Sequence, residues 1–368
     1  MRSLKYLFGF VPAALTLISL LVGGWTSFLA LVVIFGVAPI LEHVFRGVEG
    51  LGDNLSQEEE DDVRKARTYD WLLWLSVPIQ FGLLALFLYR VSFTELTPVE
   101  WAGMTLSMGT SCGILGINAA HELGHRRKKS EQNMAKALLL TSLYCHFFIE
   151  HNRGHHARVA TEADPASSRY GEWLYTFIPR SMVGGWMSAW ELERERLSAR
   201  KARVFSWQNE MLRLQVLQLA FCALILAVFG PAGLAGFILV ALMGGILLET
   251  VNYLEHYGLE REVMEDGRPE RVLPIHSWNS NLPLGRYLLF ELSRHSDHHA
   301  HARRKYQTLR NFDYAPQLPT GYPGMMVLAW MPPLWFAVMH RHMFNERQRI
   351  QEMGKRAAVY GDVEEFAA

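Results

Sequence analysis

The sequence is poor in cysteine and carries no excess of charge of either sign. Its 368 residues include only three cysteines, Cys112, Cys145 and Cys222, and no two of them form a CxxC pair. This spacing argues against a disulfide framework and an iron–sulfur site, so we expect buried thiols. The 36 basic residues are balanced by 36 acidic ones, which gives no indication of nucleic-acid binding.

Charged residues are also scarce in several long apolar runs, although they make up 20% of the sequence. Six of these runs approach the ~20 residues that a helix needs to cross a bilayer. The runs are Leu4–Val22, Ser27–Val44, Tyr69–Leu88, Trp101–Ala120, Met211–Phe229 and Leu234–Tyr253. The pattern predicts an all-α integral membrane protein with six transmembrane helices and a cytoplasmic helical cap.

Glycine-containing turns and basic residues indicate how these segments are connected and oriented. Gly23-Gly24 joins the first two segments and Gly230-Pro231 the last two, which predicts two helical hairpins. Both turns lack Lys and Arg, as does the loop Val91–Glu100, whereas basic residues flank the opposite ends of the segments. By the positive-inside rule, both termini and the large loops are expected in the cytoplasm.

This orientation divides the chain into four regions. We predict transmembrane helices 1–4 in residues 1–120, a cytoplasmic histidine-box region with interfacial helices in 121–210, transmembrane helices 5–6 in 211–253, and a cytoplasmic C-terminal region in 254–368. The apolar run Met134–Ile149 is not assigned a seventh crossing, because that would separate the histidines before and after it. We expect an interfacial helix there, and another in the stretch Trp186–Gln208.

Nine of the fifteen histidines fall into three short motifs and one single position. The motifs are HELGH (residues 121–125), EHNRGHH (150–156) and RHSDHH (294–299), and the single residue is His256 in NYLEHYG. Spacings of three and four place side chains on one face of a helix, so each motif is expected to bring two or three imidazoles to one point. The nine candidate ligands are His121, His125, His151, His155, His156, His256, His295, His298 and His299.

The number of histidines bears on the number of metal ions. One transition-metal ion rarely takes more than six donors, and zinc usually takes four, so nine imidazoles indicate a dimetal site. The pattern of soluble di-iron bundles, which needs a Glu-x-x-His motif on each of two helices, is absent, since the sequence has one such motif, Glu122-x-x-His125 within HELGH. HELGH also fits the H-E-x-x-H motif of zinc proteases, but such a protease needs one further ligand, so a membrane metalloprotease is the weaker alternative. Alternatively, His256 is not a metal ligand but a histidine at the membrane interface, beside Tyr257.

The three histidine motifs and the NYLEHYG element, in their order along the chain, resemble those of the alkane 1-monooxygenases. These enzymes are the rubredoxin-dependent membrane di-iron hydroxylases of bacteria. The resemblance extends from about Arg2 to the region of Pro332. Fatty acid desaturases and other histidine-box enzymes share the looser pattern, but desaturases usually space the second box as HxxHH, whereas three residues separate His151 from His155 here. The NYLEHYG element also points to the alkane hydroxylases. Xylene monooxygenase is a closer relative than the desaturases and is harder to exclude.

The resemblance implies an activity, cofactors and partners. It implies that the nine histidines, His256 included, bind two iron ions, and that the enzyme converts n-alkanes to primary alcohols with molecular oxygen. Electrons are expected from rubredoxin, with rubredoxin reductase and NADH upstream, because the chain has no flavin, haem or rubredoxin motif of its own. The expected location is the bacterial inner membrane, with the active site facing the cytoplasm. Hydroxylation of xylene or a fatty acyl chain, or desaturation, remains the alternative within this superfamily.

Polar residues near the motifs are candidates to support the metal ligands. A metal-bound imidazole normally donates its other nitrogen to a carboxylate or carbonyl. Glu249 is notable because it lies late in an apolar segment, where a bare charge is expensive, whereas Glu122 could equally be solvated. The candidates are Glu122, Glu150, Asp164, Glu249, Glu255 and Asp297, followed by Asn252, His276 and Asn279.

Two further sets of residues have predicted roles. Small residues along the fourth segment, among them Gly109, Gly113 and Gly116, allow either close helix packing or a substrate channel. Basic residues beside the first and third motifs could dock an acidic electron donor or contact lipid headgroups. These basic residues are Arg126, Arg127, Lys128, Arg303, Arg304 and Lys305.

Overall fold

The computed structural model describes residues 2–44 and 53–360, with side chains as far as residue 353. Residues 361–368 of the predicted C-terminal region lie outside this range. The described chain is helical, and its extended segments form only two isolated bridges. The main helices are α1 (Arg2–Val22), α2 (Gly24–Val44), α3 (Gln57–Lys65), α4 (Thr68–Phe93), α5 (residues 98–124), α6 (Lys129–Leu140), α7 (residues 147–158), α8 (Leu174–Ala199), α9 (Glu210–His256), α10 (Pro283–Leu288), α11 (His295–Ala300), α12 (Tyr322–Ala329) and α13 (Pro332–Tyr360).

Within the described residues, four helices are long and apolar enough to cross a membrane: α1, α2, α4 and α9. Helix α9 is interrupted at Gly230, whose φ of 69° and ψ of −173° lie outside the helical region. Its two arms return alongside each other, since the Phe221 and Phe237 rings lie 5.4 Å apart. Gly23 and Gly24, with φ of 75° and 56°, make the turn between α1 and α2. The fourth predicted span lies within α5, which does not meet the same criterion, so the count of six remains a prediction.

Helix α5 leads the chain into the first histidine motif. It begins at a capping box in which Thr97 and Glu100 bond each other's backbone N–H. A Cβ at Gly109 would overlap Met243, and one at Gly113 would lie 2.9 Å from Leu247, both on the second arm of α9. The small residues therefore let α5 and α9 approach closely, which fixes the height of HELGH relative to His256.

The two predicted interfacial segments differ in outcome. The run Met134–Ile149 is not one helix, because α6 ends at Leu140 and α7 begins at Phe147 after a tight turn. Leu143 in this turn has a φ of 49°, an unusual conformation for a residue with a side chain. The boundaries predicted as Trp186–Gln208 are wrong, since α8 begins at Leu174 and ends at Ala199. Its first turns are held by apolar contacts, with Phe177 fully buried, and the charge pattern did not reveal them.

A buried ionic cluster connects α1 to the segment before the third motif. The Glu291 carboxylate accepts hydrogen bonds from Tyr6 Oη at 2.7 Å and Arg286 Nε at 2.6 Å. Arg294 Nε lies 3.7 Å from the same carboxylate. Phe290 and Glu291 both have positive φ, so the backbone turns sharply here to start the approach to α11. The cluster thereby sets the position of the third motif against the membrane helices.

Candidate metal centre

The structure brings all nine candidate histidines together in two groups. In each group, one ligand atom from every residue lies within 4.8 Å of the others. The first group takes residues from all three motifs, and the second adds His256 at the end of α9. The groups are His121, His125, His151, His156 and His298, and then His155, His256, His295 and His299.

The distances between ring nitrogens fit ligands that share an ion. In the five-histidine group, Nε2 of His121 lies 3.0 Å from Nε2 of His298, and Nε2 of His151 lies 3.1 Å from that of His125. In the four-histidine group, His155 Nε2 lies 3.2 Å from His299 Nε2. Two imidazoles at right angles around an ion with metal–nitrogen bonds of about 2.1 Å would place their nitrogens about 3 Å apart. Both groups therefore have the convergence that a metal ion requires.

The second and third motifs are divided between the groups, which corrects the expectation that each motif serves one point. His155 faces the four-histidine group, while its neighbours His151 and His156 face the other. In an α-helix, positions five apart would be rotated by about 140°. Residues His151–His155 instead form a π-helical turn, whose i→i+5 bonding brings His156 round towards His151.

Burial favours the neutral form of these rings, which is the form that binds metals. For His156, His298 and His299, burial and then repulsion from neighbouring rings hold the pKa well below the usual value. These three rings are therefore neutral at pH 7, with a lone pair available for coordination. For His155, burial acts in the same direction, but the adjacent Asp164 carboxylate outweighs it and raises the pKa.

Asp164 supports one of the ligands from outside the cluster. Its Oδ2 accepts hydrogen bonds from His155 Nδ1 at 2.8 Å and from Ser167 Oγ at 2.6 Å. Burial opposes ionisation of this carboxyl, but the adjacent His155 ring outweighs it and lowers the pKa of Asp164. The bond fixes the orientation of the imidazole and leaves Nε2 facing the four-histidine group.

An apolar cavity ends against both histidine groups. It contains about 660 Å³ of space not filled by protein atoms, and its lining includes His121 and His151 from one group and His295 from the other. Most of its wall is aliphatic or aromatic, beginning at Ile34 and Phe35 on α2 and continuing along α5, α9, α10 and α12. Because α2 exposes other apolar side chains on its outer face, the cavity lies one helix away from the lipid-facing surface.

Comparison with known proteins places the chain among histidine-box membrane enzymes in two independent ways. The family model for fatty acid desaturases matches residues 98–329. The chain is 43% identical over 324 residues to an alkane 1-monooxygenase of Pseudomonas putida, covering 88% of this chain and 80% of the relative. It is also 43% identical over 318 residues to alkane 1-monooxygenase 1 of Alcanivorax borkumensis, covering 85% and 77%. The chain belongs to the alkane 1-monooxygenase family.

The xylene branch of the superfamily is more distant. The hydroxylase component of a xylene/toluene monooxygenase from Pseudomonas putida is 29% identical over 294 residues, covering 78% of this chain and 77% of the relative. The resemblance inferred from the histidine motifs is thus confirmed, and the alkane 1-monooxygenases are favoured over the xylene enzymes.

In this member of the alkane 1-monooxygenase family, three of the candidate supporting residues lie beside the histidine groups. Their described hydrogen bonds are to residues other than the histidine rings. Glu249 accepts a hydrogen bond from Tyr144 Oη at 2.6 Å and another from Asn252 at 3.2 Å. Glu150 accepts from Arg158 at 2.9 Å. Glu150, Glu249 and Asn252 line a small polar chamber together with two of the histidines.

Glu255 has a different relation to the ligands. Its Oε2 lies 3.2 Å from Nε2 of His295, the nitrogen that faces the four-histidine group, and its Oε1 accepts from Tyr322 at 2.9 Å. This carboxylate is therefore on the inner side of the ring and could itself supply an oxygen donor to a metal ion.

The remaining supporting candidates are bonded to other residues. Asp297 accepts from His301 at 2.7 Å and from the Arg310 side chain at 3.0 Å. Asn279 Oδ1 accepts from Ser296 at 3.0 Å within the third motif. His276 lies 3.2 Å from Glu270. Asp297 and Asn279 thus shape the loop around α11, which holds the ligands indirectly.

Glu122 of HELGH does not face the metals. Its carboxylate pairs with Arg126 at 2.7 Å and accepts from the Tyr306 backbone N–H at 3.2 Å. It is buried, contrary to the solvated alternative considered from sequence. A zinc protease would need this Glu as a general base beside the metal, so its position argues against that alternative.

The six basic residues separate into two sets. Arg126 and Lys305 lie 3.3 Å and 3.0 Å from Asp70 on α4, and Arg304 lies 2.5 Å from Glu60 on α3. The two pairs with Asp70 hold the first and third motifs against the membrane helix α4, and the pair with Glu60 holds the third motif against α3. Arg127, Lys128 and Arg303 are exposed.

The three glycines considered for a substrate channel differ in what surrounds them. Gly113 lines the apolar cavity. Gly109 packs against Met243, and a Cβ at Gly116 would lie 3.3 Å from Gln80 on α4. Gly109 and Gly116 therefore occupy helix contacts, as the packing alternative predicts.

Reasoning from the sequence missed three residues near the site. Tyr144, Ser167 and Tyr322 donate hydrogen bonds to Glu249, Asp164 and Glu255 respectively. Ser167 lies three residues after Asp164, so the spacing of a local turn could have indicated it. The two tyrosines are far from their partners in sequence, and only the packing of α9 against the turn after α6 and against α12 brings them together.

Proposed function

We propose that the protein is a membrane monooxygenase that hydroxylates the terminal carbon of n-alkanes. One alkane, one dioxygen, two electrons and two protons give a primary alcohol and water. The observation that carries the proposal is the apolar cavity that ends on both histidine groups. Family membership at 42–43% identity to alkane 1-monooxygenases supports the reaction.

The cofactor we propose is a pair of iron ions. The five-histidine group would hold one ion and the four-histidine group the other, with Glu255 beside the second. Imidazole ligands suit iron, copper and zinc. Zinc has no redox chemistry with which to activate oxygen, and the resemblance of the histidine motifs to those of di-iron hydroxylases favours iron over copper. When bound, the iron pair supplies the oxidant that inserts one oxygen atom into the C–H bond.

The protein's own residues would bind and position the substrate. An alkane offers no hydrogen-bonding group, so recognition depends on apolar burial worth about 0.8 kcal/mol per CH₂. The polar residues at the inner end of the cavity already have partners: Asn118 donates to the Leu289 carbonyl at 2.8 Å, and Tyr322 bonds Glu255. With these groups satisfied, the cavity favours a bare hydrocarbon and excludes water from the reacting methyl group.

We further propose six membrane spans in the bacterial inner membrane, with the histidine groups on the cytoplasmic side. Four candidate spans, one of them a broken helix with two arms, support this arrangement together with the basic loops. On that side, rubredoxin, reduced through its reductase by NADH, could reach the metal centre.

The decisive experiment is reconstitution of the purified protein in lipid with rubredoxin, rubredoxin reductase and NADH. Gas chromatography should show 1-alkanols from alkanes of graded length, with one NADH oxidised per alcohol, and metal analysis should give two irons per chain. Xylene is tested in parallel. A protein with zinc in place of iron, or one that forms product without reductant, would contradict the proposal.

A further inference from the structure

A second opening lies on the side of the molecule formed by α8 and both arms of α9. This groove contains about 920 Å³ of space and is lined by apolar residues that include Val183, Ile238 and Leu242. Polar groups lie among them, since Gln215, Gln218 and His146 contribute to the same wall. The lining is thus amphipathic, unlike that of the cavity that ends on His295.

A small polar chamber, whose free space of about 10 Å³ for a water-sized sphere is close to that needed by one water molecule, separates this groove from the histidine groups. Tyr144 and His146 line both the groove and the chamber, so one layer of side chains divides them. The far wall of the chamber includes His151 from the five-histidine group and His155 from the four-histidine group. The chamber therefore reaches both candidate metal positions.

The lining of this second path differs in chemistry from the first. Glu150, Glu249 and Ser181 line the chamber with hydrogen-bonding groups. The apolar cavity offers few such groups beyond its inner end. A molecule that carries a hydroxyl is destabilised when that hydroxyl enters an apolar passage without a partner. A bare hydrocarbon chain has no such restriction.

We infer that the polar chamber and the amphipathic groove form the exit path for a long-chain primary alcohol, separate from the apolar cavity that admits the hydrocarbon. This inference rests on the proposed function. The new hydroxyl would leave first, through the chamber, and meet Gln215 and Gln218 in the groove. The alkyl tail would follow along Ile238 and Leu242, and the alcohol would reach the bilayer with its hydroxyl near the headgroups.

The division between chamber and groove has the features of a gate. The Tyr144 hydroxyl bonds Glu249 at 2.6 Å, and its ring centroid lies 4.3 Å from that of His146. Both aromatic residues belong to the turn between α6 and α7, where Leu143 has a φ of 49°. Gly245 permits this approach, since a Cβ there would lie 3.2 Å from the Tyr144 ring. Rotation of the Tyr144 side chain would open the path.

Photolabelling of the iron-loaded protein in nanodiscs tests the path without turnover. The probe is a C12 primary alcohol that carries a diazirine near the hydroxyl, and mass spectrometry locates the adducts. We expect adducts on residues 182–186 and 238–242, competed by 1-dodecanol but not by dodecane. Adducts confined to the lining of the apolar cavity would overturn the inference.

Two leucines on the same arm of α9 provide a matched kinetic test. Leu242 lines the groove and is 45% exposed, whereas Leu239 is 42% exposed and lies outside it. Leu242→Trp should abolish the groove adducts and lower the steady-state rate on long alkanes several-fold, with the alcohol yield of a single turnover unchanged. Leu239→Trp should change none of these. Equal multiple-turnover rates in both variants would reject the exit path, whereas absence of alcohol from the unmodified enzyme would reject the proposed function instead.

Discussion

The hydrogen bond from His155 to Asp164 is the clearest single contact between a candidate ligand and a supporting carboxylate. Both side chains are fully buried, so no water replaces the bond if it is lost. Loss of such a partner typically lowers metal affinity by 10–100-fold. The contact therefore gives a residue-level test of the four-histidine group that does not depend on the substrate.

We predict that Asp164→Asn lowers the affinity for one of the two proposed iron ions by about 10–100-fold. The amide can no longer stabilise the imidazole as a carboxylate does, so the metal of the four-histidine group should be lost first. Iron content after dialysis against a graded chelator is the measurement. Asp266→Asn, at an exposed loop position, is the control. Equal iron retention in the two variants would show that Asp164 does not support a ligand.

We predict that Glu291→Gln destabilises the protein by about 3–5 kcal/mol, because it removes the carboxylate that forms ion pairs with the buried Arg286 and Arg294. The exposed pair between Arg2 and Glu59 provides the comparison, since solvent screens exposed pairs and they contribute little to stability. Thermal unfolding in detergent measures both Glu291→Gln and Glu59→Gln. Similar midpoints for the two variants would contradict the role assigned to the buried cluster.

At the scale of the helices, the contact between α5 and α9 sets the distance between HELGH and His256. A residue larger than glycine at position 109 would meet Met243, whereas the space beside Gly82 on α4 is open. The same substitution at these two glycines should therefore have opposite effects.

We predict that Gly109→Ala lowers stability by about 1–3 kcal/mol through overpacking. Gly82→Ala should be neutral or slightly stabilising, because alanine has the higher helix propensity. The thermal unfolding midpoint, followed by tryptophan fluorescence in the same detergent, distinguishes them. If both variants unfold at the temperature of the parent protein, close packing is not the reason for glycine at position 109.

At the scale of the whole molecule, metal binding would join segments that are distant in sequence. The two histidine groups draw on α5, α7, α9 and α11, so each ion links several elements. A ligand that binds only the folded state stabilises it by about 2.7 kcal/mol when present at 100 times its dissociation constant.

We predict that removal of iron by a chelator lowers the thermal unfolding midpoint and that Fe(II) restores it. The size of the shift should fall in a variant with His298→Ala and His299→Ala, which removes one ligand from each group. Unfolding curves that coincide with and without iron would show that the metals do not contribute to folding.

The exposed basic residues make a prediction about the electron donor. Arg126 and Lys305 both pair with Asp70, so the basic segments of the first and third motifs adjoin and leave Arg127 and Arg303 at the surface. We predict that Arg127→Glu with Arg303→Glu slows reduction by rubredoxin about tenfold at low ionic strength, and less at high salt. Stopped-flow reduction measures the rate. Lys201→Glu is the control, and equal slowing in it would indicate a non-specific effect of charge.

The sequence by itself indicated the nine candidate histidines, the helical hairpins and the family. Apolar runs and glycine turns depend on local chemistry, so Gly23 and Gly230 could be recognised as turn positions without a structure. Histidines three and four residues apart are a local signal of the same kind.

Only the tertiary structure decided how the histidines are divided and what surrounds them. A π-helical turn brings His156 round to His151, and no spacing rule indicates where a helix widens. The burial of Glu122 and the bond from Tyr322 to Glu255 depend on helices that meet from distant parts of the chain. Spacing fixes the direction of a side chain on its own helix, whereas its partners depend on how separate helices pack.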